Sequence, residues 1–273
     1  MWGDVIRYDH TMFEADLKSA LPPGAKIPPE DRCALLLDID GTLLDLAPTP
    51  REVRVPPGLA ETLERLMTRM SGALALVSGR SLDDIDFIFG AARFPAVGGH
   101  GAEMRLSIGE EAVAVRAPPM DVDLKRRFAR IASLDPDIIL EDKGYSLALH
   151  FRLAPHAEQA IYDAVSAVRA DLPNAPIEVL PGKAVCEIKS TGFTKATGTR
   201  ELMAHSPFSG RRPVFIGDDV TDESVFAIMP EFDGVAFSVG RQAQGVAGLF
   251  ASPDEVRGWL ARLLVDPTLR EPA

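Results

Sequence analysis

Cysteine is scarce: Cys33 and Cys186 are the only two in 273 residues, which excludes a disulfide scaffold. Each sits in an apolar or alternating stretch, as a buried thiol in a reducing compartment would. No apolar run approaches the roughly 18 residues that span a bilayer. The start, Met1-Trp2-Gly3-Asp4, has no basic run leading into an apolar one, so no secretory leader is readable. A cytoplasmic protein is the expectation. Positive charge is short as well, with 29 Lys and Arg against 40 Asp and Glu, a balance of −11. Nucleic acids and anionic membranes need clustered positive charge, so neither is an expected partner. An anionic small molecule stays open, because local fields decide it.

What is present suits a packed core. Hydrophobic residues make up 46% and charged residues 25%, ordinary values for a globular chain. The length fits one large domain or two small ones. Apolar runs alternate with helical spacing from residue 34 to about 100. The run 34–37 ends in Asp38-Ile39-Asp40-Gly41, and 73–77 ends in Ser78-Gly79-Arg80. Between them Leu59, Leu63, Leu66, Met67 and Met70 recur at helical spacing. Ser81 caps a further helix, and 94–97 reads as a third strand before Gly98-Gly99-His100-Gly101. Such alternation predicts a doubly wound, mostly parallel α/β sheet of Rossmann-like type. Its ligand crevice should lie beyond the carboxyl ends of the strands.

The rhythm changes over 118–190. A helix (121–133), strands 138–142 and 145–152, a helix (156–171) and strands 177–180 and 184–189 follow one another. Helix, hairpin, helix, hairpin predicts an antiparallel sheet with helices on one side, an α+β domain inserted into a core of 1–117 and 191–273. Alternation puts His150, Arg152, Glu187 and Lys189 on its free face. That face is either a ligand surface or a solvated one. After 190 the first rhythm returns, with a helix over 195–203 and strands at 214–216 and 235–239. Gly217-Asp218-Asp219 follows the first of those strands, and Ser252-Pro253-Asp254-Glu255 opens a last helix.

Asp38 and Asp40 stand two apart where a buried strand ends. Two like charges about 4 Å apart repel by about 4 kcal/mol at an effective dielectric near 20. A shared proton or a divalent cation relieves that. Gly217-Asp218-Asp219-Val220-Thr221-Asp222-Glu223 brings more carboxylates to an equivalent strand end. Oxygen ligands converging on one crevice favour a hard ion such as Mg²⁺. Calcium loops are excluded, since the sixth and twelfth positions counted from Asp38 hold Leu43 and Thr49. No Gly-x-Ser-x-Gly elbow surrounds Ser78, and no glycine-rich nucleotide loop is present. A carboxylate pair, a hydroxyl at Ser78, a lysine at Lys195 and an acidic ion site are together the parts for phosphoryl transfer through an aspartyl-phosphate.

In order and type, Asp38-Ile39-Asp40-Gly41-Thr42, Ser78, Lys195 and Gly217-Asp218-Asp219 resemble the four motifs of the haloacid dehalogenase-like phosphohydrolases, which carry a cap between the second and third. Ser78-Gly79-Arg80, His100-Gly101-Ala102-Glu103, Glu141-Asp142-Lys143-Gly144-Tyr145 and the 217–223 stretch narrow the resemblance to the trehalose-6-phosphate phosphatase family, over roughly residues 33–265. The resemblance implies a Mg²⁺-dependent phosphatase acting on a small sugar phosphate. Asp38 would be the nucleophile and Asp40 the general acid and base. The ion would be held by Asp38, the Asp40 carbonyl and Asp218, with Asp219 or Asp222 behind them. Ser78 and Lys195 would hold the phosphoryl oxygens. Glu103, Lys143 and Glu187 would bind sugar hydroxyls, with Arg80, His100 and Arg152 as further substrate contacts. Thr194 and Ala196 depart from the family, which usually has Asn or Asp and then Gly on either side of the lysine. Rivals within the class are phosphatases of sucrose, glucosylglycerol or mannosyl phosphates. From other classes come a receiver-like signalling module and a catalytically dead relative. Oligomeric state and the purpose of residues 1–30 are not legible.

Overall fold

The structure is a computed structural model that describes residues 32–47, 52–108, 114–182 and 184–265. The first 30 residues and the outer ends of the expected core segments therefore lie outside the described residues.

Cys33–Leu37 (β1) is wholly apolar and wholly buried, as a strand covered on both faces must be. Leu59–Arg69 (α1), Leu74–Val77 (β2), Leu82–Phe89 (α2) and Ala96–Gly98 (β3) follow. Two short strands, Glu103–Arg105 (β4) and Ala114–Val115 (β5), then run antiparallel at the sheet edge. The next segment contributes Val122–Ala129 (α3), Ile139–Asp142 (β6), Ser146–His150 (β7), Glu158–Asp171 (α4), Ile177–Gly182 (β8) and Val185–Ser190 (β9). Lys195–Ala204 (α5), Arg212–Gly217 (β10), Glu223–Ile228 (α6), Val235–Val239 (β11), Gly248–Phe250 (β12) and Pro253–Leu263 (α7) complete the chain.

The large sheet has the order β12-β11-β10-β1-β2-β3-β4-β5, parallel from β12 to β3. Chain order reverses between β1 and β10, which makes their carboxyl ends the crevice of an open sheet. The register there pairs Leu37 with Ile216, and the Asp38 N–H donates to Ile216 O at 3.0 Å. Asp38 and Asp218 therefore leave neighbouring strands within one residue of the same level. The second sheet, β6-β7-β9-β8, is antiparallel and has its own apolar core around Phe128, Leu149, Phe151, Ile161 and Ile188.

Two of the expected elements shift for local reasons. The strand expected at 94–97 is β3, because Pro95 has no N–H and only accepts from Leu76. Phe94 instead packs edge-on against Phe89. The helix expected at 121–133 ends at Ala129 and tightens into a 3₁₀ turn over Arg130–Leu134. Strands β4, β5 and β12 and helix α6 were not expected at all. Among the described residues, no helix is long and apolar enough to cross a membrane.

Candidate active site

The loop after β1, the turn after β10 and the first residue of α5 meet at one point. Thr194 caps α5 by accepting from the Thr197 N–H, while Thr197 accepts from the Thr194 N–H. That reciprocal cap fixes Lys195 at the helix start, so threonine provides the local order here despite the departure from the family pattern. Lys195 Nζ donates to Asp38 Oδ1 and to Asp222 Oδ1, each at 2.7 Å, and all three groups are buried. Asp218 joins them: oxygens of Asp38, Asp218 and Asp222 lie within 4.8 Å of one another. An Asp222 oxygen therefore lies within reach of the other two carboxylates while also holding Lys195. Its Oδ2 accepts the Asp219 N–H at 3.0 Å, and Asp219 caps the turn Val220–Asp222.

The cluster is short of positive charge. Burial pushes the Asp38 carboxyl up to about 7, with Lys195 opposing the rise and Asp222 adding to it. Burial likewise raises Asp222. Burial disfavours the Lys195 charge, yet Asp222 and Asp38 hold its pKa above that of ordinary lysine. Three carboxylates gathered around one ammonium form an acidic cluster, the kind of site whose charge a divalent cation would offset. The all-oxygen donor set suits a hard ion. Backbone supports the fit: Gly41 has φ +78°, and a Cβ there would come within 2.1 Å of Asp218 Oδ2. The carboxylate occupies space that only glycine leaves.

Arg80 forks onto Asp40, Nε to Oδ2 and Nη2 to Oδ1, each at 2.6 Å, the bidentate pairing that guanidinium favours. Ser78 Oγ accepts the Arg80 N–H at 3.2 Å, so it shapes this loop as well as facing the cleft.

The second sheet closes the other side of a cleft of about 200 Å³. Glu187 on β9 is its centre. Ser146 Oγ donates to Glu187 Oε1 at 2.8 Å, Lys143 Nζ lies 3.4 Å from the same oxygen, and His100 Nε2 lies 3.0 Å from Oε2. Burial alone would raise the Glu187 carboxyl, but Lys143 and His100 pull it well below the usual range. Lys143 also donates to Gly79 O at 2.9 Å, tying the insert to the loop after β2. Arg152 donates to Ala47 O across the same gap.

The structure brings Asp38, Asp40, Ser78, Arg80, His100, Lys143, Arg152, Glu187, Lys195, Asp218 and Asp219 to one cleft. Glu103 does not line it. Lys189, expected on the ligand face, turns to Glu178 and the Phe193 carbonyl. Among the polar cleft residues that the sequence reading did not assign to the site are Glu141 and His150. Glu141 and His150 pair at 2.9 Å as diagonal neighbours on β6 and β7. The alternation that put His150 on the polar face was the available signal.

Residues 36–248 match the family described as trehalose-phosphatase. A probable trehalose-phosphate phosphatase of Sinorhizobium fredii is 38% identical over 236 residues, 85% of this chain and 88% of the relative. The trehalose-6-phosphate phosphatase of Escherichia coli K12 is 36% identical over 227 residues, 83% of this chain and 85% of the relative. Among solved structures, the C-terminal domain of the Candida albicans trehalose-6-phosphate phosphatase superposes with a TM-score of 0.75 at 20% identity, covering 86% of this chain and 93% of the other. A haloalkanoate-superfamily phosphatase of Bacteroides thetaiotaomicron superposes with a TM-score of 0.59 at 15% identity, covering 89% and 96%.

Proposed function

The chain belongs to the trehalose-phosphatase family, and from that premise we propose that it hydrolyses trehalose 6-phosphate to trehalose and inorganic phosphate through a phospho-Asp38 intermediate. The observation that carries the reading is Lys195 bridging Asp38 and Asp222 beside Asp218, at the point where the strand order reverses.

Lys195 holds Asp38 Oδ1, which leaves Oδ2 to attack phosphorus. The P–O bond to the sugar breaks as the Asp38–P bond forms, and Asp40 donates its proton to the departing sugar oxygen. Asp40 then takes a proton from the water that attacks phosphorus and releases phosphate from Asp38. Arg80 fits a role on the phosphoryl oxygens: an incoming dianion competes with Asp40 for the guanidinium and frees that carboxyl for proton transfer. Ser78 and Lys195 bind the developing charge. Asp38, the Asp40 carbonyl and Asp218 would hold Mg²⁺, with Asp222 tying Lys195 to the cluster. The ion, when bound, offsets charge on the phosphoryl oxygens and on the carboxylates.

The segment 118–190 acts as a cap whose Lys143, Glu187, Arg152, Glu141 and His150 meet the sugar hydroxyls. Such groups, buried and needing partners, would penalise a smaller sugar. A receiver-like module has no use for this polar roof. The net charge of −11 and two buried cysteines, neither in a disulfide, suit a cytoplasmic enzyme without nucleic-acid or membrane partners.

Phosphate release from a panel of trehalose, sucrose, glucosylglycerol and mannosyl phosphates, with and without Mg²⁺, tests the proposal. Trehalose 6-phosphate should lead the panel and need the ion. A clear win for another sugar would overturn the substrate, and stoichiometric phosphorylation without turnover would overturn the enzyme.

A further inference from the structure

Glu103 stands where the family resemblance expects a sugar ligand, and the fold uses it otherwise. Both of its carboxylate oxygens are occupied: Oε2 accepts the Leu82 N–H at 2.6 Å and Oε1 accepts the Tyr145 hydroxyl at 2.9 Å. Glu103 is 8% exposed and Tyr145 4%, and neither lines the cleft. Leu82 opens α2 directly after the loop that carries Ser78 and Arg80, so the first bond braces that loop from behind.

Tyr145 belongs to the insert, yet it packs in a small cluster with Ala102 and Ala117, with Phe193 against them. Ala117 and Phe193 flank the two places where the chain passes into and out of the insert. The phenol oxygen lies against Gly99, where a Cβ would come within 2.1 Å at φ +54°. Burial, and then Glu103, raise the Tyr145 pKa, so the hydroxyl is a standing donor. Two residues before it Lys143 donates to Gly79 O, and one residue after it Ser146 donates to Glu187. Tyr145 thus sits in the chain between the anchors of two of the groups that the insert brings to the cleft, Lys143 and Glu187.

We infer that Glu103 and Tyr145 are positioning residues, a hinge pin that sets Lys143 and Glu187 over the loop of Ser78 and Arg80 without touching substrate. The inference rests on the sugar-phosphate reading of the cleft.

Kinetics on the sugar-phosphate panel and on p-nitrophenyl phosphate, a small substrate that needs the core alone, test it. Tyr145→Phe removes one hydrogen bond to a carboxylate. KM for the sugar phosphate that the wild type prefers should rise about tenfold, with kcat within about twofold. Hydrolysis of p-nitrophenyl phosphate by Tyr145→Phe should stay at the wild-type rate. Glu103→Ala should raise the sugar-phosphate KM at least as far, and adding Tyr145→Phe to it should change little, because both remove the same bond. Three results would overturn the inference. Tyr145→Phe could lose both substrates together, or leave KM unchanged, or add its full effect to that of Glu103→Ala, which would return Glu103 to the sugar. If the wild type prefers a sugar other than trehalose, the substrate reading fails, and the KM comparison is decided on that sugar.

Discussion

Buried carboxylates sit on both sides of the cleft, in opposite states of charge balance. Below, three aspartates share one lysine, and burial lifts Asp38 to about 7. Above, one glutamate has Lys143, His100 and Ser146, and its carboxyl is held well below the ordinary range. Burial penalises both sites; the partners decide the sign. A cluster of carboxylates around one ammonium is suited to admit a cation, whereas a carboxylate already paired and hydrogen-bonded is suited to recognise hydroxyls. On the proposed function, one cleft separates chemistry from selection by how completely each floor is compensated.

The largest effect expected on this contrast is Asp38→Asn. It should lower kcat by at least about 10³-fold in a phosphate-release assay, since the amide cannot attack phosphorus. Retained turnover would erase the distinction between the two sites. A chelator should abolish activity, and a divalent cation should restore it. Asp218→Asn should raise the cation concentration for half-maximal rate by at least about tenfold; an unchanged requirement would move the ion elsewhere. Glu187→Gln should act on the other side, raising KM for trehalose 6-phosphate by about 10- to 100-fold and kcat less, because Lys143 loses its counter-charge and His100 its carboxylate partner. A fall in kcat with KM intact would place Glu187 in the chemistry. The smallest effect concerns pH. Burial raises the Cys186 thiol of β9 from 9.0 to about 11. As pH rises, the unfolded chain loses this proton first, so the contribution is whole below pH 9 and is lost by about pH 11. Denaturant midpoints across that range should fall, and Cys186→Ala should flatten the slope.

Much of this was legible from one-dimensional pattern. The parallel sheet, the insert and the acidic strand ends follow from apolar runs that stop at Asp38, Ser78 and Gly217. Local chemistry was legible too: Ser81 accepts from the Asp84 N–H and Ser252 from the Glu255 N–H, as the capping pattern requires. Strands of two or three residues, such as β4, β5 and β12, carry no period to detect. Partnerships between distant residues leave no spacing either. Arg80 on Asp40, Glu103 on Tyr145 and Lys189 on Glu178 are set by where elements dock, so the partners of Glu103, expected to meet a sugar hydroxyl, and of Lys189, expected on the free face, could not be read from spacing. The Glu141–His150 pair needed the exact register of β6 on β7, which a hairpin pattern leaves undetermined by a residue or two.

Gly41 carries a consequence for anyone who varies this protein. At φ +78° with the Asp218 carboxylate pressed on its α-carbon, the position depends on an amino acid without handedness. Every L-residue installs a β-carbon within 2.1 Å of where a carboxylate oxygen now lies. A library that samples position 41 should return non-functional clones across all nineteen alternatives, hydrophobic and polar alike. That flat profile would mark steric exclusion next to the reacting centre, in contrast to the graded tolerance expected at Thr42, its immediate neighbour.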